Sequence, residues 1–244
     1  MTSAPDGPDT RSAPKPAKVA ASPHAGHRAR LRDKLLNRGQ DALADYELLE
    51  LILSIAIPRR DVKPLAKALM AEFGSLAEVI HAELPRLEAI KGMGETSIAA
   101  LKVMQAATIR VTRDQVSDKP VLGGWDALVG YLKASTAYRE REVFRVLYLD
   151  QKNVLIADEV VNEGTINHAP IYPREIMRHA LTLGATSIIL CHNHPSGDPT
   201  PSRQDIAVTR DIIDVGKKLG VKVHDHVIVG RSGEKSLRAM GLMD

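Results

Sequence analysis

The chain has 244 residues, 44% of them hydrophobic and 26% charged, with 33 Lys and Arg against 30 Asp and Glu for a formal charge of +3. That length allows one large or two small domains with buried cores, and so small a net charge excludes a protein that coats nucleic acid over its whole surface. Aromatic residues at 3% are too scarce for a base-stacking platform, and a single cysteine cannot form an intramolecular disulfide, which fits a reducing compartment.

Residues 1–27, MTSAPDGPDTRSAPKPAKVAASPHAGH, are rich in Pro, Ala, Ser and Gly. They hold too little apolar surface to offset the entropy of ordering and are predicted to form a disordered tail. No apolar run approaches the roughly 18 residues of a membrane span, and the N-terminus lacks the apolar core of a secretory leader. A cytoplasmic protein without membrane contact is expected. From Arg28 the pattern becomes that of amphipathic helices, interrupted at Gly39, Pro58 and Gly74 and started by Asp45 and Asp61. Leu48, Leu51 and Ile52, then Leu65, Ala68 and Leu69, repeat at helical spacing and predict core faces.

In LEAIKGMGETSIAALK a tight Gly92–Met93–Gly94 turn separates two helical patterns. Its glycines permit positive φ and close backbone approach, and the helix that follows presents unpaired N–H groups. With Lys91 and Lys102 nearby, the turn serves either as a sequence-independent phosphate grip on duplex DNA or only as a sharp corner between helices. It resembles the helix-hairpin-helix motif of DNA-binding proteins. The helical pattern lapses between Val111 and Leu122, which separates an all-α domain over 28–115 from a second domain over 122–244.

Beyond that boundary EVFRVLYLD, NVLIADEVV, ATSIILCH and KVHDHVIVG are β-branched, apolar runs of strand length, and PREIMRHALTLGA reads as a helix. A layered α/β fold follows. The apolar run Ser187–Leu190 leads into CHNHPSGDPTPSRQD, so His192 and His194 fall at the carboxyl end of a strand, where open sheets build their sites. Residues two apart in an extended segment point the same way, so both imidazoles can converge while Cys191 and Asn193 face elsewhere. The loop then enters a helix with an apolar stripe of Val208, Ile212, Val215 and Leu219. Asp205 in its first turn can supply an oxygen ligand, leaving a fourth tetrahedral position for water. Ser202 and Asp205 also serve as a plain helix cap. Cys191 is expected to be an ordinary buried strand cysteine.

HNHPSGDPTPSRQD resembles the His-X-His-Pro and Ser-X-X-Asp signature of the JAMM (MPN-type) metalloproteases. More broadly, EREVFRVLYLD, EGTIN, YPREIMRHAL, HNHPSGDPTPS and DHVIVG stand in the order found in the RadC family, behind a helix-hairpin-helix domain. The resemblance implies a JAMM/MPN-like, deaminase-like three-layer α/β core with a smaller all-α N-terminal domain. It implies one Zn²⁺ per chain on His192, His194 and Asp205, with Glu142 as general base, Glu163 as the alternative base, and Ser202 as hydrogen-bond donor to the oxyanion. His226 of DHVIVG is expected in the core or just behind the ligands. The activity implied is that of a zinc metallopeptidase or isopeptidase acting on a protein or peptide. A DNA-binding repair accessory protein with a structural or idle metal site is the alternative. A His-Asn-His nuclease is disfavoured, because those enzymes spread the three letters over a longer unit and a two-metal site wants more carboxylates.

Overall fold

The computed structural model describes residues 23–164 and 171–244. By contact they fall into two compact units, one ending at Ala44 and one starting at Asp45. In the first, α1 (Pro23–Arg38) is followed by a 3₁₀ turn at Gln40–Ala42. Residues 23–27 of the expected tail therefore open a helix, and residues 1–22 lie outside the described residues. So does Thr165–Pro170, which includes the last three letters of EGTIN.

The second unit starts with α2 (Asp45–Ala56), α3 (Lys63–Phe73), α4 (Leu76–His81), α5 (Leu84–Glu88) and α6 (Glu95–Val116). Local chemistry sets several of these ends. The Asp61 carboxylate accepts the Lys63 N–H at 3.0 Å and Pro64 follows in the first turn. Gly74, at φ +90, ends α3 where a side chain would be strained. Ser75 then caps α4 by accepting the Glu78 N–H at 3.2 Å. Leu49, Leu53, Leu69, Val79, Leu87 and Leu101 fill the helical core. Leu51, Leu65 and Leu69 are buried as their spacing predicts, but Ala68 is exposed and Ala66 takes its inward place. Helix α6 also runs on through residues 111–116, into the stretch where the sequence predicts the helical pattern to lapse, because Ile109 and Val116 pack into the core of the next layer.

That layer is α7 (Trp125–Thr136), followed by β1 (Val143–Leu149), β2 (Leu155–Glu163), α8 (Pro173–Leu183), β3 (Ser187–Asn193), α9 (Arg203–Leu219), β4 (Lys222–Gly230) and β5 (Gly233–Ser236). The five strands form one sheet in the order β2-β1-β3-β4-β5, with β3 and β4 parallel and the other pairs antiparallel. Alternation sorts the strand residues into two cores. Val146, Tyr148, Ile188 and Leu190 pack against α8 and α9, while Leu147, Leu149, Ile189, Cys191 and Val227 pack against α7. The result is a three-layer α/β fold behind a helical region, as the runs of strand length predict. Ile212 anchors α9 with Val208 and Val215, but Leu219 is 45% exposed, because the helix ends one residue later at the left-handed Gly220. Among the described residues no helix is long and apolar enough to cross a membrane.

Candidate metal centre

Antiparallel pairing of β1 with β3 places the start of one strand beside the end of the other, with Phe144 opposite His192. Glu142, just ahead of β1, is thereby brought to the strand end that carries His192 and His194. Asn193, between the two histidines, points to the opposite side and is fully buried. Its Oδ1 accepts the Val143 N–H at 2.8 Å, and its Nδ2 donates to the carbonyls of Arg139 and Arg141 at 3.1 and 3.2 Å. One amide thus clamps the segment that presents Glu142. Its role could have been suspected from a buried polar residue at a strand end, but its partners, some fifty positions upstream, are not legible in a sequence.

Among the described residues, Glu142, His192, His194 and Asp205 form a group whose ligand atoms all lie within 4.8 Å of one another, and it could hold a metal ion. Three of them are close-set. His192 Nε2 lies 3.0 Å from His194 Nε2 and 3.3 Å from Asp205 Oδ1, and His194 Nε2 lies 3.4 Å from Asp205 Oδ2. Glu142 Oε1 stands further off, 3.8 Å from His192 Nε2. The His192 and Asp205 side chains are 1% exposed, whereas those of His194 and Glu142 are 18% and 16% exposed, so the cluster opens to solvent on their side.

The chemistry of these donors suits a cation. His194 Nδ1 faces the Asp198 carbonyl at 2.8 Å, which can only accept, so the proton sits on Nδ1 and the Nε2 lone pair faces the cluster. Burial pushes the Asp205 carboxyl up, yet the two imidazoles and the Ser202 N–H outweigh it and hold the group well below the usual carboxylate range. Contact with Asp205 raises the affinity of His194 for a proton, while burial lowers that of His192. The point where the three side chains meet thus attracts positive charge.

Asp205 has a second task. Its Oδ2 accepts the Ser202 N–H at 2.6 Å while Ser202 Oγ accepts the Asp205 N–H at 3.1 Å, a reciprocal cap on α9. The cap and the carboxylate's place in the cluster coexist. Since Ser202 Oγ accepts within this cap, its own hydroxyl proton is left to donate elsewhere, and the residue is exposed. Behind the cluster, His226 Nε2 lies 2.8 Å from His192 Nδ1, and His226 Nδ1 lies 2.6 Å from Thr209 Oγ1. Thr209, fully buried on α9, carried no signal in the sequence. Cys191 lies on the other face against α7, and burial pushes its thiol up to about 12. Glu163 is exposed at the end of β2 and is not a member of the cluster.

At the helical turn, Gly92 adopts φ +100 and its carbonyl accepts from Arg60 Nη2 at 2.7 Å. Gly94 caps α6 with extended backbone, and Lys91 is exposed. Lys102 is directed inward instead, donating to the Ala82 carbonyl at 2.6 Å and to Gln105 Oε1 at 3.0 Å.

A three-layer α/β domain with His-X-His at the end of a central strand, Ser-X-X-Asp opening the next helix and a glutamate ahead of the antiparallel neighbour is a JAB domain of the JAMM type. The family model for the RadC-like JAB domain matches residues 122–242, and that for the UPF0758 N-terminal region matches residues 24–99. The chain belongs to the RadC/UPF0758 family.

Proposed function

We propose that this chain is a zinc-dependent metallopeptidase or isopeptidase, with a hydrolase domain over 122–244 carried by an all-α domain over 28–115. The observation that carries this is the spacing of the donors. Zinc with bonds of about 2.0–2.1 Å to nitrogen and oxygen has tetrahedral edges of roughly 3.3 Å. The two imidazole nitrogens stand 3.0 Å apart and each has one oxygen of the Asp205 carboxylate at 3.3 or 3.4 Å, separations close to that edge, and Glu142 at 3.8 Å from His192 lies beside them on the solvent side. Structural zinc sites close all four positions with protein ligands, whereas three ligands and one open side is the catalytic pattern.

When bound, zinc supplies Lewis acidity and draws the pKa of a coordinated water toward neutrality. Glu142 Oε1 is placed to take a proton from a water on the open side and to return it to the leaving amine. The Ser202 hydroxyl, its oxygen already accepting within the cap, donates its proton to the oxyanion that develops on the substrate carbonyl. His192 and Asp205, both buried, keep bulk water from the inner side of the centre. The substrate class is an amide within or between proteins, and the buried, lone cysteine suits a cytoplasmic enzyme.

Metal analysis of the protein purified from zinc-replete cells tests this. About one zinc per chain is expected, lost in His192→Ala and Asp205→Ala. Glu142→Gln should keep zinc and lose roughly 10²–10⁴-fold in turnover of a cleaved peptide. A metal-free wild type sinks the proposal, and a Glu142→Gln enzyme with full turnover moves the base elsewhere, Glu163 being next to test. Retained zinc with no hydrolysis of any peptide library by the wild type would favour the accessory-protein alternative. For the helical domain we propose a sequence-independent duplex contact at Lys91, Gly92 and Gly94, with Arg60, exposed beside Gly92, rather than the inward-directed Lys102 as the second cation.

A further inference from the structure

We infer that Thr209 and His226 form a positioning relay that fixes the tautomer of His192, so that its Nε2 lone pair is always turned into the metal centre. This rests on the metal-binding role proposed for His192. The relay runs from α9 through β4 to β3. His192 and His226 project from the same face of adjacent strands, His226 being paired with Leu190 and His192 with Ile228. Phe144 lies parallel to the His192 ring at 6.0 Å and edge-on to His226 at 5.4 Å, so both rings are walled in and only the protons on them are free to choose.

The choice follows from one hydroxyl. Thr209 Oγ1 has a single proton, and it donates it to the Asp205 backbone carbonyl at 2.5 Å, a group that can only accept. The same oxygen must then accept from His226, which places the His226 proton on Nδ1 and leaves Nε2 as an acceptor. His226 Nε2 therefore accepts from His192, which places the His192 proton on Nδ1 and its lone pair on Nε2, facing His194 and Asp205. Reversing the order would leave two oxygen lone pairs facing each other at 2.5 Å between Thr209 and Asp205. It would also put a proton on His192 Nε2 where a metal must bind. Ligating histidines elsewhere are held by a carboxylate or carbonyl at the second nitrogen. Here a neutral imidazole takes that place, and it can do so only while Thr209 dictates its tautomer.

The test compares Thr209→Val with Thr209→Ser. Valine keeps the shape and loses the hydroxyl, while serine loses the methyl and keeps the hydroxyl. Zinc affinity, measured by competition with a chromophoric chelator, should fall about tenfold or more in Thr209→Val and stay near wild type in Thr209→Ser. A packing role predicts the opposite ranking and would overturn the relay, as would equal affinity in all three proteins. His226→Leu should lose more affinity than Thr209→Val. In metal-free protein, ¹⁵N imidazole NMR should find both His192 and His226 protonated at Nδ1, and a proton on His192 Nε2 overturns the relay without reference to zinc. A wild type with the expected tautomers that binds no zinc overturns the metal-binding role instead, so the two failures are distinct.

Discussion

Gly230, the last residue of β4, lies under the loop that carries His194. A Cβ there would stand 2.3 Å from the Gly197 carbonyl oxygen, 2.8 Å from its carbon and 3.3 Å from Pro199 N, all backbone atoms. Its φ is not positive, so Gly230→Ala costs nothing in backbone strain and acts by collision alone. The loop must retreat by roughly 1 Å, and overpacking of that kind costs about 1–3 kcal/mol. Retreat also stretches the bonds that the Gly197 carbonyl accepts from Ser232 N–H at 3.1 Å and Ser232 Oγ at 2.7 Å, each worth about 1 kcal/mol. A total near 3 kcal/mol corresponds to a fall in Tm of roughly 6–12 °C for a chain of this size. Because the Asp198 carbonyl orients His194, zinc affinity should fall with it, by about tenfold. Thermal unfolding followed by circular dichroism, with the chelator titration beside it, reads both. Gly130→Ala in α7 is the control, since nothing lies within 4 Å of its Cβ and alanine should stabilise the helix by about 0.5–1 kcal/mol. A Gly230→Ala protein that melts and binds zinc like wild type refutes the steric account of the loop.

Two other outcomes are expected. Gly94→Val has open space for its side chain and should leave the fold intact, yet with Lys91→Ala it should abolish most duplex DNA affinity and flatten the salt dependence by about one unit per lost phosphate contact; unchanged binding defeats the phosphate grip. The Cys191 thiol, pushed up to about 12 by burial, should resist thiol reagents at pH 8 in the native protein and react fully in denaturant. Because its folded pKa lies above the unfolded one, its contribution to stability is complete below about pH 9 and is lost as pH rises toward 12, which denaturant titrations across that range would detect. Native labelling at the denatured rate would contradict the burial.

The strands were legible because β-branched runs of the right length admit few other structures, and three donors were legible because a two-residue spacing in a strand and a helix-start aspartate are local features. Glu142 was not legible from spacing. It joins the site through the register of β1 against β3, a non-local pairing that only the family resemblance supplied. Thr209 was invisible for the same reason, since its meaning depends on which turn of α9 lies over His226. Helix α7 and the short, polar β5 were missed because neither carries a strong period. Ala68 was misplaced because a small residue weighs little in a periodicity, so Ala66 could take the inward position unannounced.

The capping carboxylate of Asp205 and the pairing of β1, β3 and β4 together set when the centre can exist during synthesis of the chain. Its donors come from residues 142 to 205, and the ring behind them from residue 226. A nascent chain that has not yet delivered β4 can pair β2, β1 and β3, but it has no partner for His192 Nδ1 and leaves one edge of β3 uncovered. Tight metal capture is then expected late, coupled to completion of the domain. Ribosome-bound chains halted before Lys222 should therefore bind zinc more weakly than the finished domain, which a chelator competition on stalled chains would read.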